Sequence, residues 1–172
     1  LRLAKNGKLS WHQTLRADRY PALKGAVSVS SSNSGQLAVA GMAASAVSIF
    51  AIDKYNNLVL KQTLYESIES PVKTLFDPVN GRLLVANKHS VLEFELNSNE
   101  KFKLVSKLMD SNGENLDGIS ELTISPDGST LFALSEANNL LHIFERTENW
   151  NLKTSFIPTL SNGQPALGPT SL

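Results

Sequence analysis

The chain has 172 residues, with 16 Lys plus Arg balanced by 16 Asp plus Glu and no cysteine. That length is enough for one domain with its own core, while zero net charge demotes nucleic-acid binding, whose affinity comes mostly from phosphate neutralisation. Without thiols there is no disulfide framework and no thiolate metal site, and no apolar run nears the roughly 20 residues that span a bilayer.

The first stretch, "LRLAKNGKLSWHQTL" (Leu1 to Leu15), aligns without gaps on "FAIDKYNNLVLKQTL" (Phe50 to Leu64), down to the shared "QTL". It has no initiator Met and no signal-peptide pattern, so any export signal is expected upstream. Three passes of one pattern follow. Turn glycines Gly35, Gly81 and Gly128 recur 46 and then 47 residues apart, each just before an apolar run: "QLAVAGM", "RLLVANK", "STLFALS". A polar turn and a third run come next ("AVSIFAI", "SVLEFEL", "NLLHIFE"), then a fourth ("NLVLKQTL", "KFKLVSKL", "WNLKTSFI"). All are short, rich in Val, Ile, Leu and Phe, and bounded by Asn, Gly, Asp and Ser, as strands are. "PALGPTSL" (Pro165 to Leu172) resembles "PALKGAVSV" (Pro21 to Val29), which leads into a first strand.

Four strands per unit of about 45 residues is the blade of a β-propeller. A helical alternative needs ten or more residues of 3.6 period; only "LYESIESPV" hints at one, and Pro71 limits it. The expected fold is therefore all-β, with three complete four-stranded antiparallel blades at 18–64, 65–108 and 109–156. A half-blade at 1–17 and the start of another at 157–172 complete the reading, as a piece of a larger ring of about seven blades. Gly81 and Gly128 are expected at tight turns with φ > 0. The incomplete ends are expected to pair with the remaining blades of a parent chain or with a second copy.

The stretch "LDGISELTISPDGSTLFALSEANNLLHIFERTENWNLKTSF", with its "SPDG" turn and "IFER" strand, resembles the bacterial lactonase-like (YVTN-type, 6-phosphogluconolactonase-like) propeller repeats. "AVSIFAIDKYNNLVLKQTL" is similar to the closing strands of the same family, and the "GH…WD" signature of WD40 blades is absent. The resemblance covers essentially the whole chain. It implies either lactone hydrolysis or a display or adhesion module within a large bacterial surface protein. It also favours an extracellular, cell-surface or periplasmic location over a cytoplasmic one. No catalytic motif of the family transfers residue by residue, and fold alone does not assign function.

In a propeller the turns between strands two and three share one face with the links between blades, and that face usually carries function. Here it would collect Asn87, Lys88 and His89, Glu136 and Asn138, and Glu66 and Glu69. His89 beside Lys88 is the candidate general acid or base; His12 and His142 fall inside expected strands, so a three-histidine metal site is not expected. Asp110, Asn112, Glu114 and Asp117 could offer oxygen ligands to calcium, but Gly113 stands fourth rather than sixth, and a solvated turn explains "NG" equally. No other cofactor is expected. Glu66, Glu69, Glu136 and Asp110 could supply acid pairs but lie on different loops. Trp11 and Trp150 share a position on outer strands, suited to carbohydrate stacking or, more simply, to packing between blades. G-x-S-x-G and G-x-x-x-x-G-K motifs are missing.

The expectation from these residues is a non-enzymatic module that binds a protein or carbohydrate ligand through its loop face. The alternative is part of a lactonase-type hydrolase, with no turnover expected of this segment alone because propeller active sites draw loops from several blades.

Overall fold

The computed structural model describes residues 2–3, 9–10, 12–109 and 116–159, with backbone only for the first two pairs. Arg2–Leu3 (β1) and Leu9–Ser10 (β2) form a short antiparallel pair. Three four-stranded antiparallel sheets follow, each in simple meander order. The first blade is β3 (Ala26–Ser31), β4 (Gln36–Gly41), β5 (Ala46–Ile52) and β6 (Leu58–Leu64). The second is β7 (Lys73–Phe76), β8 (Leu83–Asn87), β9 (Ser90–Leu96) and β10 (Phe102–Leu108). The third is β11 (Ile119–Ile124), β12 (Thr130–Ser135), β13 (Leu140–Arg146) and β14 (Trp150–Phe156). The helical pieces among the described residues are two 3-10 turns, Pro21–Leu23 and Met42–Ala44. The fold is the all-β one expected.

Alternation explains the layering. In the second blade the second and third strands are buried on both faces, as is most of the third strand of the first blade, so they read as continuous apolar runs, while the fourth strand of the second blade alternates because one face meets water. One residue of each fourth strand is squeezed out of the ladder: Lys61, Val105 and Lys153. A bulge of this kind sharpens the local twist, and its recurrence gives the three blades a common shape. The turns behave as their residues require: Gly35, Gly81 and Gly128 have φ of +79°, +72° and +70°, a region open to glycine at little cost.

β7 lies between β3 and β11, so the first strands are innermost and the blades are packed face to face. The seam between the first two blades joins Ala38, Val47, Ile49 and Leu64 to Phe76, Leu92, Phe94 and Phe102. The second seam joins Leu84, Ala86, Val91 and Leu108 to Leu122, Leu131, Phe144 and Trp150. Trp150 is thus an inter-blade packing residue, the simpler of the two readings of its position; Trp11 lies outside the described residues.

The shared "QTL" has a physical reason. Gln62 donates from Nε2 to the Phe102 carbonyl (2.9 Å), and its Oε1 accepts from the Phe102 N–H (2.7 Å). Gln13 does the same to Leu58, at 3.1 and 2.7 Å. Each glutamine mimics a peptide group and bridges to the fourth strand of the following blade. His12, expected in a strand, is not in one: its Nε2 meets the Asn56 carbonyl at 2.9 Å, so side chains rather than a ladder fix this segment.

Candidate ligand-binding face

The second strand of each blade ends in a buried position that holds the incoming link. At Gly41 a Cβ would lie 2.0 Å from the Ala22 carbonyl oxygen, so the link itself fills the space. At Asn87 the amide does the work, donating to the Ser67 carbonyl (2.9 Å) and accepting from the Glu69 N–H (2.5 Å). At Ser135 the hydroxyl donates to the Asp117 carbonyl (2.5 Å). The turn that follows is tied to the same link: Met42, Lys88 and Glu136 N–H groups donate to the Gly25, Glu69 and Gly118 carbonyls at 3.0 Å each. Turns and links therefore share one face of the molecule. Asn87 lies there as a structural clamp, with its amide turned inward and 6% exposed.

The link into the third blade also touches the second. Gly118 donates to the Lys88 carbonyl (3.2 Å), and a Cβ at Gly118 would stand 2.4 Å from that of Ala137. Only glycine, at φ +65°, lets the link pass between two turns this closely. The consequence is chemical. Asp117, one residue earlier, meets His89 in the two-residue turn between β8 and β9, with Nδ1 and Oδ1 2.6 Å apart. An ionised carboxylate can only accept, so the contact favours the proton on Nδ1, the arrangement that in a neutral ring leaves Nε2 as the accepting nitrogen. Asp117, by sequence one of four possible oxygen ligands for calcium, has its partner 28 residues earlier on another blade, a proximity that only the blade seam creates.

Beside this pair lies an open cleft of about 460 Å³. Lys88 and Gly118, the chain neighbours of His89 and Asp117, line it. Val72 and Ile119 give it apolar surface, Ser70 and Ser120 hydroxyls, and Lys88 and Glu136 charge. That mixture suits a small ligand with one apolar face and several hydroxyls. Lys88 Nζ is 3.4 Å from Glu69 Oε1, and both side chains are more than half exposed, so the pair is worth little and Lys88 is easily diverted to a ligand. The Glu136 carboxylate is exposed at the rim. Asn138 is exposed in the same turn and donates its N–H to Ser135 Oγ at 3.4 Å. Glu66 is exposed on the link that precedes the cleft.

The other candidates do not join this site. His142 lies within β13, buried, with Nδ1 2.7 Å from Ser155 Oγ. Asp110, Asn112 and Glu114 lie outside the described residues. Among the described residues no group of three or more His, Cys, Asp or Glu could hold a metal ion, and no helix is long and apolar enough to cross a membrane.

One polar cluster that the sequence did not announce sits within the second seam. Asp77 and Glu93 are 2% and 3% exposed. Arg146 pairs with Asp77 and lies 3.4 Å from Glu93, which also accepts from Trp150 Nε1 at 3.2 Å. Arg82 is 3.4 Å from Glu93, and the Arg146 guanidinium stacks 4.0 Å from the centre of the Trp150 ring. These groups satisfy one another, and they hold two blades in register rather than face a ligand.

No family model matches the chain, and no curated protein matches it. Solved structures do. A protein from Lactobacillus plantarum superposes with a TM-score of 0.71 at 15% identity, over 90% of this chain and 49% of that one. A candidate 6-phosphogluconolactonase from Bacteroides fragilis gives 0.63 at 18% identity, over 82% and 39%. The periplasmic gluconolactonase of Pseudomonas aeruginosa gives 0.56 at 16% identity, over 74% and 38%. The chain thus shares the propeller fold of lactonase-type structures and spans less than half the length of each of these three.

Proposed function

We propose that the loop face binds a sugar-acid lactone or a similar small polyhydroxylated ligand, as part of a lactonase-type propeller, with His89 and Asp117 as its proton-transfer pair. The observation that carries this reading is the 2.6 Å His89–Asp117 contact, between residues whose chain neighbours Lys88 and Gly118 line the cleft. In lactone hydrolysis the His89 Nε2 would take a proton from the attacking water. As the ring C–O bond breaks, the proton would pass to the leaving ring oxygen. Asp117 would hold the ring orientation and stabilise the imidazolium between the two steps. Lys88 and Glu136 would orient hydroxyl and carboxyl groups of the ligand. The fold likeness to a gluconolactonase supports this reading, and the periplasmic location of that protein supports an exported location here. The display-module reading draws on no feature specific to this geometry.

Binding is the proper readout, because turnover is expected to need loops from further blades. Calorimetric titration of the 172-residue chain with gluconate should show saturable binding. Glu136→Gln and Lys88→Ala should each weaken it about tenfold, the equivalent of one charge-assisted hydrogen bond of ~1.4 kcal/mol. Absence of binding at millimolar gluconate by a folded chain would remove the proposal.

A further inference from the structure

On the face opposite the links, corresponding positions of the blades show why one seam is shut and the other open. Ser32, Asp77 and Ser125 correspond, because each donates its N–H across the first turn, to the Gln36, Arg82 and Thr130 carbonyls. Ile52, Leu96 and Arg146 correspond at the end of the third strand, opposite Leu58, Phe102 and Trp150. In the second seam Asp77 of one blade pairs with Arg146 of the next, and Arg82 and Arg146 each lie 3.4 Å from Glu93. The turns close there as well, since a Cβ on Gly128 would stand 2.9 Å from Val79 Cγ2. The first seam has Ser32, Gln36 and Leu96 at the positions of Asp77, Arg82 and Arg146, and no ion pair forms between them. A Cβ on Gly81 would meet nothing within 4 Å, and a cleft of about 330 Å³ is left between the two blades.

We propose that this cleft is a second binding site, for one neutral hexose-sized sugar. Its lining carries hydroxyls on Ser32 and Ser34, carboxamides on Gln36 and Asn80, and apolar surface on Val79 and Leu96, which are 65% and 41% exposed. The Gln36 side-chain amide has no hydrogen-bond partner among the described residues. Asn80 uses its Oδ1 to accept from the Arg82 N–H at 2.9 Å, which leaves its NH2 group to donate. Amide donors and acceptors beside an apolar wall match a pyranose, with hydroxyls around its edge and C–H groups on its faces. No Lys or Arg lines the cleft. Its one carboxylate, Asp77, is committed to Arg146 and to the Val79 and Asn80 N–H groups. A charged ligand would therefore lose water without gaining a partner, which selects a neutral one. The walls are held by Asn33, whose Nδ2 donates to the Pro78 carbonyl across the seam at 3.2 Å. The volume is at the small end of the range for ligand pockets, about 300–1,000 Å³, so a single sugar ring fits better than a chain.

Two-dimensional NMR of the side-chain amide groups tests this, with glucose, galactose and mannose as probes. The Gln36 and Asn80 NH2 signals should shift saturably with at least one of the three at tens of millimolar, while the His89 imidazole, on the opposite face, stays unmoved. Gluconate should leave both NH2 signals in place, so each face is read at its own residues. Gln36→Ala should weaken sugar binding about fivefold, the equivalent of one neutral hydrogen bond. The double variant Ser32→Asp, Leu96→Arg installs the pair that shuts the second seam and should abolish binding with unchanged circular dichroism. Absence of a saturable shift with all three sugars would overturn the proposal, as would a sugar response at His89 with Gln36 unmoved. Undiminished binding by the folded double variant would do the same. So would wild-type affinity in Gln36→Ala, whether or not the double variant folds.

Discussion

The two blade seams solve the same packing problem with different chemistry. In the first, the position facing the next blade in the third strand is Ile49; in the second it is Glu93. The first seam places no charged pair between its sheets; its polar links are single hydrogen bonds, among them those of Gln62 and of the Ser28 and Ser30 hydroxyls, at 3.5 and 3.0 Å from Thr74 Oγ1. The second places two acids, two arginines and an indole N–H between the sheets. Burial of apolar area holds either seam at roughly 25 cal/mol per Å², but only the second penalises a misplaced partner heavily. A buried ion cluster of this kind contributes register more than net stability, a role consistent with the second seam also setting the His89–Asp117 contact.

The sharpest way to break the contrast is Arg146→Ala, which strands the fully buried Asp77 carboxylate. A loss of about 3–5 kcal/mol is expected in a denaturant melt at neutral pH. The triple variant Asp77→Ser, Glu93→Ile, Arg146→Ile installs the residues of the first blade at the same positions (Ser32, Ile49, Ile52). It should recover most of that loss, because no charge is left unpaired. If the triple variant is as unstable as Arg146→Ala, the cluster contributes more than mutual satisfaction.

Gly128 gives the next effect. It has positive φ, and its Cβ would stand 2.9 Å from Val79 Cγ2 across the second seam, whereas one at Gly81 would meet open space. Gly128→Val should cost about 2–3 kcal/mol and Gly81→Val about 1, the backbone strain alone. Equal losses would mean that the second seam is looser at this turn than its geometry implies. In the first seam, Gln62→Ala removes two hydrogen bonds to the Phe102 backbone and should cost about 1–2 kcal/mol. Thr154→Ala, at the matching position of the third blade, should cost close to nothing; thermal melts of both variants compare them directly.

The smallest effect concerns Asp127, outside both seams. Its carboxylate accepts from the Ser125 hydroxyl and from the Ser129 N–H and hydroxyl, which hold its pKa down at about 2. A carboxyl whose folded pKa is depressed adds stability above its unfolded value, near 3.8, and loses it as pH falls toward 2. Asp127→Asn should therefore lower stability above about pH 4 and flatten the acid limb of the stability profile between about pH 4 and 2. An acid limb identical to wild type would contradict the assignment.

Most of the fold was legible because a blade is local: strand, turn and strand lie within 47 residues, and alternation with turn glycines at Gly35, Gly81 and Gly128 is written in one dimension. The site was legible only by halves. His89 stood out as a titratable residue in a face turn, but nothing in "DSNGENLDG" marks Asp117 as its partner, since their meeting depends on how far one sheet twists against the next. Asn87 belongs to the face turn by sequence, but the link that returns over it buries its amide. Glu93 carries no local signal either. It follows the strand pattern of "VLEFEL" as a polar residue facing water would, and only Arg146, 53 residues later, shows why a carboxylate can sit there.

The central claim is that His89, oriented by Asp117, faces the ligand. It is tested most directly by two-dimensional NMR of the imidazole nitrogens of His12, His89 and His142 during a gluconate titration. The account predicts that His89 Nε2 alone shifts saturably, that its Nδ1 stays protonated throughout, and that Asp117→Asn abolishes both the fixed tautomer and the response. Movement of His12 or His142 in place of His89, or a His89 response untouched by Asp117→Asn, would contradict it.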